Sequence, residues 1–280
     1  MKTIHANNTY QKKHISFFFF MMLLLLIIYG KASAQEQQTT STSSSHLRIG
    51  LGYGLPSGSQ MMNSTSSNSS SSSTSKGVYG TLGTGMVLNA AFTHMYSKNI
   101  GLDLNLQYLM GKEYKGSNTS TYGGTTYTSN SSIQAHGVML SPSVIFSAGE
   151  KVKPYVQVGF VMGIINVKQE YGSSTYQANY EAKGGLSFGF RGGFGIDAPI
   201  SEKISFFSEL TFTSMSYYPK KATVVTVADG TTREQNIEFV KEETSSMSGN
   251  SSQELKDSFP MGNIALSVGL KFRLNSKNKA

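Results

Sequence analysis

The sequence predicts an all-β fold, an eight-stranded antiparallel up-and-down transmembrane β-barrel with four long loops at one end and three short turns at the other. Three observations predict it. Eight segments alternate apolar and polar residues with a period of two, which is the pattern of a strand and not of a helix. The connections between these segments are alternately long and short. Charged residues and many glycines share one face of the segments, whereas aliphatic residues occupy the other.

The N-terminus has the features of a cleaved secretory signal. Basic residues precede an apolar run over residues 15–29. A run of about 15 residues is shorter than the roughly 20 that a membrane-spanning helix needs, which favours cleavage over a retained anchor. Ala32 and Ala34 have the small-x-small spacing of a cleavage site that leaves Gln35 first in the mature chain. Residues 1–34 are therefore predicted to be a signal peptide.

The rest of the chain is predicted to be one barrel domain with short flanking segments. Residues 35–45 are rich in Gln, Ser and Thr and are expected to form a disordered linker. Residues 46–274 are assigned to the barrel and 275–280 to a C-terminal tail. The basic residues are scattered rather than clustered, so nucleic acid is not an expected partner. The chain has no cysteine, which excludes disulfides and thiol catalysis.

The first four predicted strands follow the two-residue period, and the third follows it most regularly. They cover residues 46–55, 78–92, 100–110 and 137–146. In the first, Leu47 and Ile49 lie on one face and Arg48 on the other. The second is expected to place Leu82 on the aliphatic face. The third has the cleanest alternation, with aliphatic residues at every even position from 100 to 106.

The last four predicted strands follow the same rule. They cover residues 154–167, 186–198, 204–218 and 264–274. In the sixth, Phe188 and Phe190 are on the face opposite Arg191. The eighth alternates without interruption, with Leu270 and Phe272 on the aliphatic face and Lys271 between them.

The connections predict which way the barrel faces. The tight turns are at 95–99, 147–153 and 199–203, and the long polar loops are at 56–77, 111–132, 168–185 and 219–260. Short turns in the periplasm and long loops outside are typical of outer-membrane barrels. The pattern therefore predicts a protein of the cell outer membrane with both termini in the periplasm.

The first and fourth loops carry further expectations. Residues 57–75 are almost entirely Ser, Thr and Asn and are expected to be flexible. The fourth loop contains two short apolar stretches around Asp229 and Gly230, which predict a hairpin outside the membrane. The exposed edge of such a hairpin could add a strand to a partner. The alternative is a solvated excursion that shields the mouth of the barrel.

The distribution of charge predicts which face meets lipid. An Arg or Lys on the lipid face near the bilayer midplane costs about 2–4 kcal/mol, so a face without charge is the lipid face. A narrow eight-stranded interior accepts small and mutually paired side chains. The two interfacial belts of aromatic residues are expected at Tyr53, Tyr108, Tyr217 and Tyr218 near the loops, and at Phe92, Tyr96, Phe146, Tyr155 and Phe206 near the turns.

The inward charges are expected to form a cluster inside the barrel. Its predicted members are Arg48, Asp103, Arg191, Glu209 and Lys271. A turn centred on Ile200 would set Arg191 directly across from Glu209 and predicts a buried ion pair between them. Asp103 is expected to reach Arg48 or Lys271, because an isolated buried charge would be costly. The alternative is that individual charges extend to water at the rim.

The end of the last strand carries a sorting pattern. Gly269, Phe272 and Leu274 have the spacing of glycine, aromatic and hydrophobic residue found in the β-signal of outer-membrane proteins. With the predicted signal peptide and eight strands, the chain resembles the outer-membrane β-barrel domain family of Bacteroidetes, which is similar in design to small barrels of the OmpA and OmpX kind. This resemblance implies the barrel-assembly machinery as a partner during biogenesis. It carries no active site, because members differ in function.

No catalytic, cofactor or metal motif is recognisable, so neither enzymatic activity nor a cofactor is expected. His46 and His94 fall at the turn end of the barrel, and His136 falls on the lipid side without a carboxylate placed to share its chemistry.

Function is therefore expected in the long loops. The first hypothesis is a structural or surface-interaction role, with outer-membrane lipid, lipopolysaccharide or another envelope or surface protein as partner. The alternatives are a narrow transport pore and an accessory component of an envelope secretion system. Inward apolar residues such as Leu109, Met139 and Phe207 should fill the lumen, which argues against a pore.

Overall fold

The computed structural model describes residues 43–69, 72–149, 151–241 and 251–274. The predicted cleavage site at Ala32, Ala34 and Gln35, most of the predicted linker and the tail lie outside these ranges. Among the described residues, no helix is long and apolar enough to cross a membrane.

The described residues form one continuous sheet. In chain order its strands are β1 (Ser44–Pro56), β2 (Gln60–Asn68), β3 (Ser73–Gly80), β4 (Gly85–Met95), β5 (Ile100–Gly111), β6 (Tyr114–Tyr122), β7 (Thr125–Ser147), β8 (Lys153–Gly172), β9 (Tyr176–Lys183), β10 (Ser187–Pro199), β11 (Ile204–Tyr217), β12 (Lys221–Ala228), β13 (Thr231–Val240), β14 (Ser251–Leu255), β15 (Phe259–Pro260) and β16 (Asn263–Leu274).

Eight of these strands close into an antiparallel barrel. Around the ring they are β1, β4, β5, β7, β8, β10, β11 and β16, and β16 pairs with β1 to complete the circle. The three predicted short turns join β4 to β5, β7 to β8 and β10 to β11 at one end, the turn end. The predicted eight-stranded barrel is therefore confirmed.

The register of the ring sets the tilt of the strands. Ser187 on β10 is paired with a residue on the next strand, which in turn is paired with one on the strand after that. One turn around the barrel along these pairs ends on β10 again, at Asp197, which is ten residues further along the chain. Ten residues of about 3.3 Å, spread over eight strands about 4.8 Å apart, give a tilt of about 40°. This tilt lies in the range of closed barrels, in which an eight-stranded interior is just wide enough for side chains to fill it.

Side-chain burial confirms the predicted orientation. Along β5, exposed and buried residues alternate at every position. Leu106 is 49% exposed, whereas the neighbouring Asn105 is 3% exposed and faces the barrel interior. The outward residues of the other barrel strands are likewise mainly Leu, Ile, Val, Met and Phe. Apolar side chains therefore cover the outside of the barrel, and polar groups are buried within it.

The second predicted strand is wrong at its start. Residues 81–84 are not in a strand, because the backbone turns inward there and the Thr84 amide donates to the Thr81 carbonyl. The next strand, β4, begins at Gly85, which has a φ of 141°. Leu82 was expected on the lipid face but is fully buried in the mouth of the barrel, where its amide donates to the Pro260 carbonyl.

Two of the predicted interfacial aromatics also point inward. Tyr155 and Tyr217 are 1% and 0% exposed, and both lie on the interior face of their strands. The neighbouring Tyr218 is exposed as expected. An aromatic residue at a strand end suits either a membrane interface or a filled barrel interior, and only the register separates the two.

The long connections are largely ordered and extend the sheet beyond the barrel. β7 and β8 continue past the ring, and the neighbouring strands attach to them in the order β14-β13-β12-β9-β8 on one arm and β7-β6-β2-β3 on the other. We call this part of the sheet, beyond the long-loop end of the barrel, the extension sheet. The first loop, which is expected from its sequence to be flexible, contains a paired hairpin of β2 and β3.

The predicted hairpin of the fourth loop is confirmed as β12 and β13. Asp229 and Gly230 have φ values of 48° and 75°, as a tight two-residue hairpin turn requires. The outer edge of this hairpin is not free, however, because β14 from the same loop pairs with β13 in parallel.

An apolar cluster joins the barrel to the extension sheet. Its barrel members include Leu109, Met139 and Ile165, and its extension members include Ala182 and Ile237. The extension therefore has a hydrophobic core that continues from the upper barrel interior, which explains why long, Ser-rich loops form strands there.

The outward orientation predicts the effect of a charge on the barrel surface. Leu106→Arg is expected to lower the free energy of unfolding from lipid vesicles by about 2–4 kcal/mol, because the cation would enter hydrocarbon. Leu106→Ile is the matched control and should change it little. Unfolding is followed by urea titration of the chain folded into vesicles. An equal stability of both variants would contradict the lipid-facing assignment, since a water-exposed position tolerates arginine.

Candidate functional site

Arg48 is the centre of the buried charge cluster. It projects inward from β1, and its guanidinium is bonded to carboxylates on two other strands. Nη2 lies 2.7 Å from Asp103 Oδ2, and Nη1 lies 2.8 Å from Glu209 Oε2. Thr93 donates a hydrogen bond to the other oxygen of Asp103. The predicted pairing of Asp103 with Arg48 is therefore confirmed.

Glu209 accepts from two arginines at once. Its Oε1 lies 2.8 Å from Arg191 Nη2, so the predicted Arg191–Glu209 ion pair is also confirmed. The register expected for it is wrong: Glu209 is opposite Gly195, and Arg191 is opposite Thr213. The turn covers residues 200–203 and is centred beyond Ile200, so the arginine reaches along the barrel rather than straight across.

Lys271 does not belong to this cluster. Its ammonium lies 2.5 Å from Asp197 Oδ2 and forms a separate pair near the turn end. Asp197, rather than Asp103, is thus its partner. Lys271 was placed in the cluster because the side-chain period gives the face of a residue but not its height within the barrel.

Aromatic rings fill the space around Arg48. The Tyr155 hydroxyl donates to Glu209 Oε2 at 2.9 Å, and the guanidinium lies 5.5 Å from the centre of the Phe207 ring. Gly50 and Gly269 face that ring, and a Cβ on either glycine would lie 2.7 Å from it. These glycines therefore make room for the ring beside the buried cation. Gly269 was predicted as part of the assembly signal, and in the structure it also has this packing role.

Side chains fill the lumen at two levels. At the first level, the gap lined by Arg48, Phe207 and Glu209 is too narrow for a water molecule. Towards the long-loop end the apolar cluster begins, and Val161 and Leu109 there are fully buried. The Leu82 amide donates to the Pro260 carbonyl and joins the returning ends of the first and fourth loops, and the Met261 amide donates to the Met215 carbonyl of β11. As expected from the sequence, inward side chains fill the barrel.

The remaining predicted residues stay apart from the cluster. Phe272 and Leu274 lie at the turn end of β16, where Phe272 pairs with Leu47 and Ile204. Their role as an assembly signal stays a prediction. Within the described ranges, no group of three or more His, Asp or Glu side chains is arranged to hold a metal ion.

The extension sheet presents the most varied exposed chemistry. Ser, Thr and Asn dominate β2, β3 and β6, and large tyrosines stand out from the polar surface. Five tyrosines of the extension sheet or its connections are exposed: Tyr79, Tyr122, Tyr127, Tyr171 and Tyr176. Sequence reasoning missed this surface, because it predicted no strands in the long loops apart from the hairpin of the fourth loop and therefore could not place their tyrosines on a common scaffold.

The closed ring and its apolar exterior define the class of the protein, a transmembrane β-barrel. On β10 and just before it, exposed apolar residues run from Leu186 to Ile196. At about 3.3 Å per residue and a tilt of about 40°, this run is about 25 Å tall along the barrel axis. The apolar band of bacterial transmembrane barrels has about the same height.

Comparisons with known proteins give only distant likenesses. No protein-family model matches the chain, and no curated protein matches it significantly. Among solved structures, the chain is similar to a major outer membrane protein from Thermus thermophilus, at 11% identity and a TM-score of 0.44 over 83% of this chain and 100% of the other. It is also similar to the outer membrane protein OprG from Pseudomonas aeruginosa, at 11% identity and a TM-score of 0.43 over 86% and 100%. At these values the likeness carries no argument about function, and the barrel assignment rests on register and burial.

The shared acceptor predicts unequal effects of removing cluster members. Glu209→Leu is expected to lower the free energy of unfolding by about 3–5 kcal/mol, because it leaves two buried arginines without their common carboxylate. Arg191→Leu should cost less, since Arg48 keeps both of its carboxylate partners. Both are measured by urea unfolding in lipid vesicles.

The double variant Glu209→Leu/Arg191→Leu provides the control for this coupling. The double variant should lose less free energy of unfolding than the two single variants lose together. The reason is that it removes a buried charge together with its partner. Simple additivity would contradict the buried pair. Lys271→Met breaks the separate pair with Asp197. Its loss in free energy of unfolding should add to that of either single change.

Proposed function

We propose that this chain is an outer-membrane β-barrel that acts through surface interaction, with the extension sheet as its binding surface. The observation that carries the proposal is the contrast between the two parts of the sheet. The barrel interior is filled, whereas the extension is ordered, shares the apolar cluster and exposes a polar, tyrosine-rich surface. An ordered platform lowers the entropy lost when a partner binds.

The placement in the outer membrane is supported by the barrel itself and by the sequence at both ends. Bacterial barrels of this kind have short periplasmic turns and longer external loops. We therefore place the turn end and both termini in the periplasm and the extension sheet outside the cell. The predicted signal peptide and the β-signal pattern at Gly269, Phe272 and Leu274 support export and recognition by the barrel-assembly machinery. On the same features we propose membership of the Bacteroidetes outer-membrane barrel family.

The exposed chemistry favours a macromolecular partner. Tyrosine offers large contact area with little entropy loss, and Ser and Asn offer adaptable hydrogen bonds, a combination that also characterises antibody binding loops. We propose an envelope or cell-surface molecule as the partner. A role as accessory component of a secretion system is one form of the same activity. The filled lumen weighs against a transport pore, and we propose no catalytic activity or cofactor.

Epitope insertion tests the topology. A tag placed between Gly123 and Gly124, at the β6–β7 turn of the extension sheet, is expected to be labelled by antibody on intact cells. These glycines have positive φ values, and a Cβ on either would meet no other atom, so an insertion there should be tolerated. A tag between Ser201 and Glu202, in the β10–β11 turn, is the matched control and should be labelled only after permeabilisation. The reverse pattern would invert the orientation.

Photo-crosslinking tests the interaction. A photoreactive phenylalanine at Tyr127, which is 63% exposed on the extension sheet, is expected to give a discrete adduct with a surface molecule in living cells. The same group at Leu106, on the lipid face, should give no such adduct. Planar-bilayer recordings of the purified chain should show no stable conductance. Steady channels together with the absence of adducts across the extension sheet would replace this proposal by the transport pore.

A further inference from the structure

A cavity at the base of the extension sheet is lined by three lysines. It has a volume of about 580 Å³ and lies beside the ends of β9, β12, β13 and β14. Lys183, Lys220 and Lys221 are among the residues that line it. Ser251, Ser252 and Gln253 also line it, and Glu238 is its one acidic residue within the described ranges. The cavity therefore combines an excess of positive charge with hydroxyl and amide groups.

The register brings the lysines together. Lys221 is directly opposite Lys183 across the β9–β12 pair. Lys221 is also directly opposite Glu238 across the β12–β13 pair, so one carboxylate on the neighbouring strand partly compensates these opposed like charges. Lys183 has an internal partner, since its ammonium lies 3.0 Å from Glu181 Oε2, and this hydrogen bond lowers the pKa of the Glu181 carboxyl. Within the described part of the chain, the ammonium groups of Lys220 and Lys221 form no ion pair.

The position of the cavity relative to the apolar band indicates where its ligand would come from. Leu186 is the uppermost exposed apolar residue leading into β10, and Lys183 precedes it by three residues. On the neighbouring strand end, the exposed Tyr218 lies two residues before Lys220. Three residues of about 3.3 Å put the lysines within about 10 Å of the edge of the hydrocarbon. That is the depth of the lipid headgroups.

We propose that this cavity binds the phosphate groups of a phosphorylated glycolipid in the adjacent leaflet. The three ammonium groups would bind the phosphate oxygens, Ser251, Ser252 and Gln253 would bind sugar hydroxyls, and Leu186 would contact the acyl chains. Lysine binds phosphate as a mobile point charge with three donors, so it suits a headgroup of variable geometry. The proposal deepens the surface-interaction function, and it rests on the extension sheet lying outside the cell.

Binding of a defined lipid by the purified full chain in detergent tests the proposal. The probe is a bisphosphorylated glucosamine disaccharide lipid, compared with the same lipid after removal of both phosphates. Lys183→Gln/Lys220→Gln/Lys221→Gln is expected to weaken binding of the phosphorylated lipid by about 100-fold, as removal of three cations beside an anionic headgroup should. Removal of the phosphates from the lipid should weaken its binding to the unchanged chain to a similar extent.

The matched control carries the same charge change on the other arm of the extension. Lys76→Gln/Lys112→Gln/Lys115→Gln removes three exposed lysines around β3 and β6 and should leave binding within about twofold. Both variants should unfold at the same urea concentration as the original chain, because the altered side chains are exposed. Equal weakening by the two sets would overturn the site, since it would show a general charge effect.

Two further comparisons complete the test. The first distinguishes a lipid headgroup from free phosphate, and the second distinguishes failure of the lipid site from failure of the proposed surface function. Inorganic pyrophosphate should compete only at concentrations far above those of the lipid, and competition at equal concentration would overturn the assignment to a lipid. If the lysine variant binds lipid normally while the Gly123–Gly124 tag stays accessible on cells, the lipid site is wrong and the surface function stands. An inaccessible tag would remove the orientation on which both depend.

Discussion

The closed ring of backbone hydrogen bonds is the constraint on which the rest of this structure depends. A strand in hydrocarbon has no water to satisfy its amide and carbonyl groups, so a spanning sheet must close on itself. Closure by eight strands with a shift of ten residues leaves an outer face for lipid and a narrow interior. The alternation of side chains then assigns every residue of a barrel strand to one of these two environments.

The narrow interior explains the composition of the inner face. It accepts large groups only where glycines make room, as Gly50 and Gly269 do for the Phe207 ring. Charges are accepted only in mutual contact, which Glu209 provides by accepting from arginines on two strands. A salt-bridge cluster and an apolar cluster thus fill successive levels of the same barrel. The side chains of these two clusters therefore occupy the barrel interior at both levels.

The extension sheet follows from the unequal lengths of the strands. β7 and β8 continue beyond the ring and supply free edges on which loop strands can pair. Inward apolar residues such as Ala182 and Ile237 then continue the core above the membrane. The outer side of this scaffold is left to Ser, Thr, Tyr and Lys. The region with the weakest hydrophobic pattern therefore carries the surface proposed for binding.

The sequence alone determined the number of barrel strands, the face that meets lipid and the identity of most inward charges, because a two-residue period and the cost of charge in lipid act on each strand separately. It could not determine the height of Lys271, the inward turn at Leu82 or the orientation of Tyr155, since these depend on register around the whole ring. The strands of the Ser-rich first loop were also beyond it, because β2 pairs with β3 and with β6, which in turn pairs with β7. Only the tertiary structure decides such features, since they arise from contacts between residues far apart in the chain.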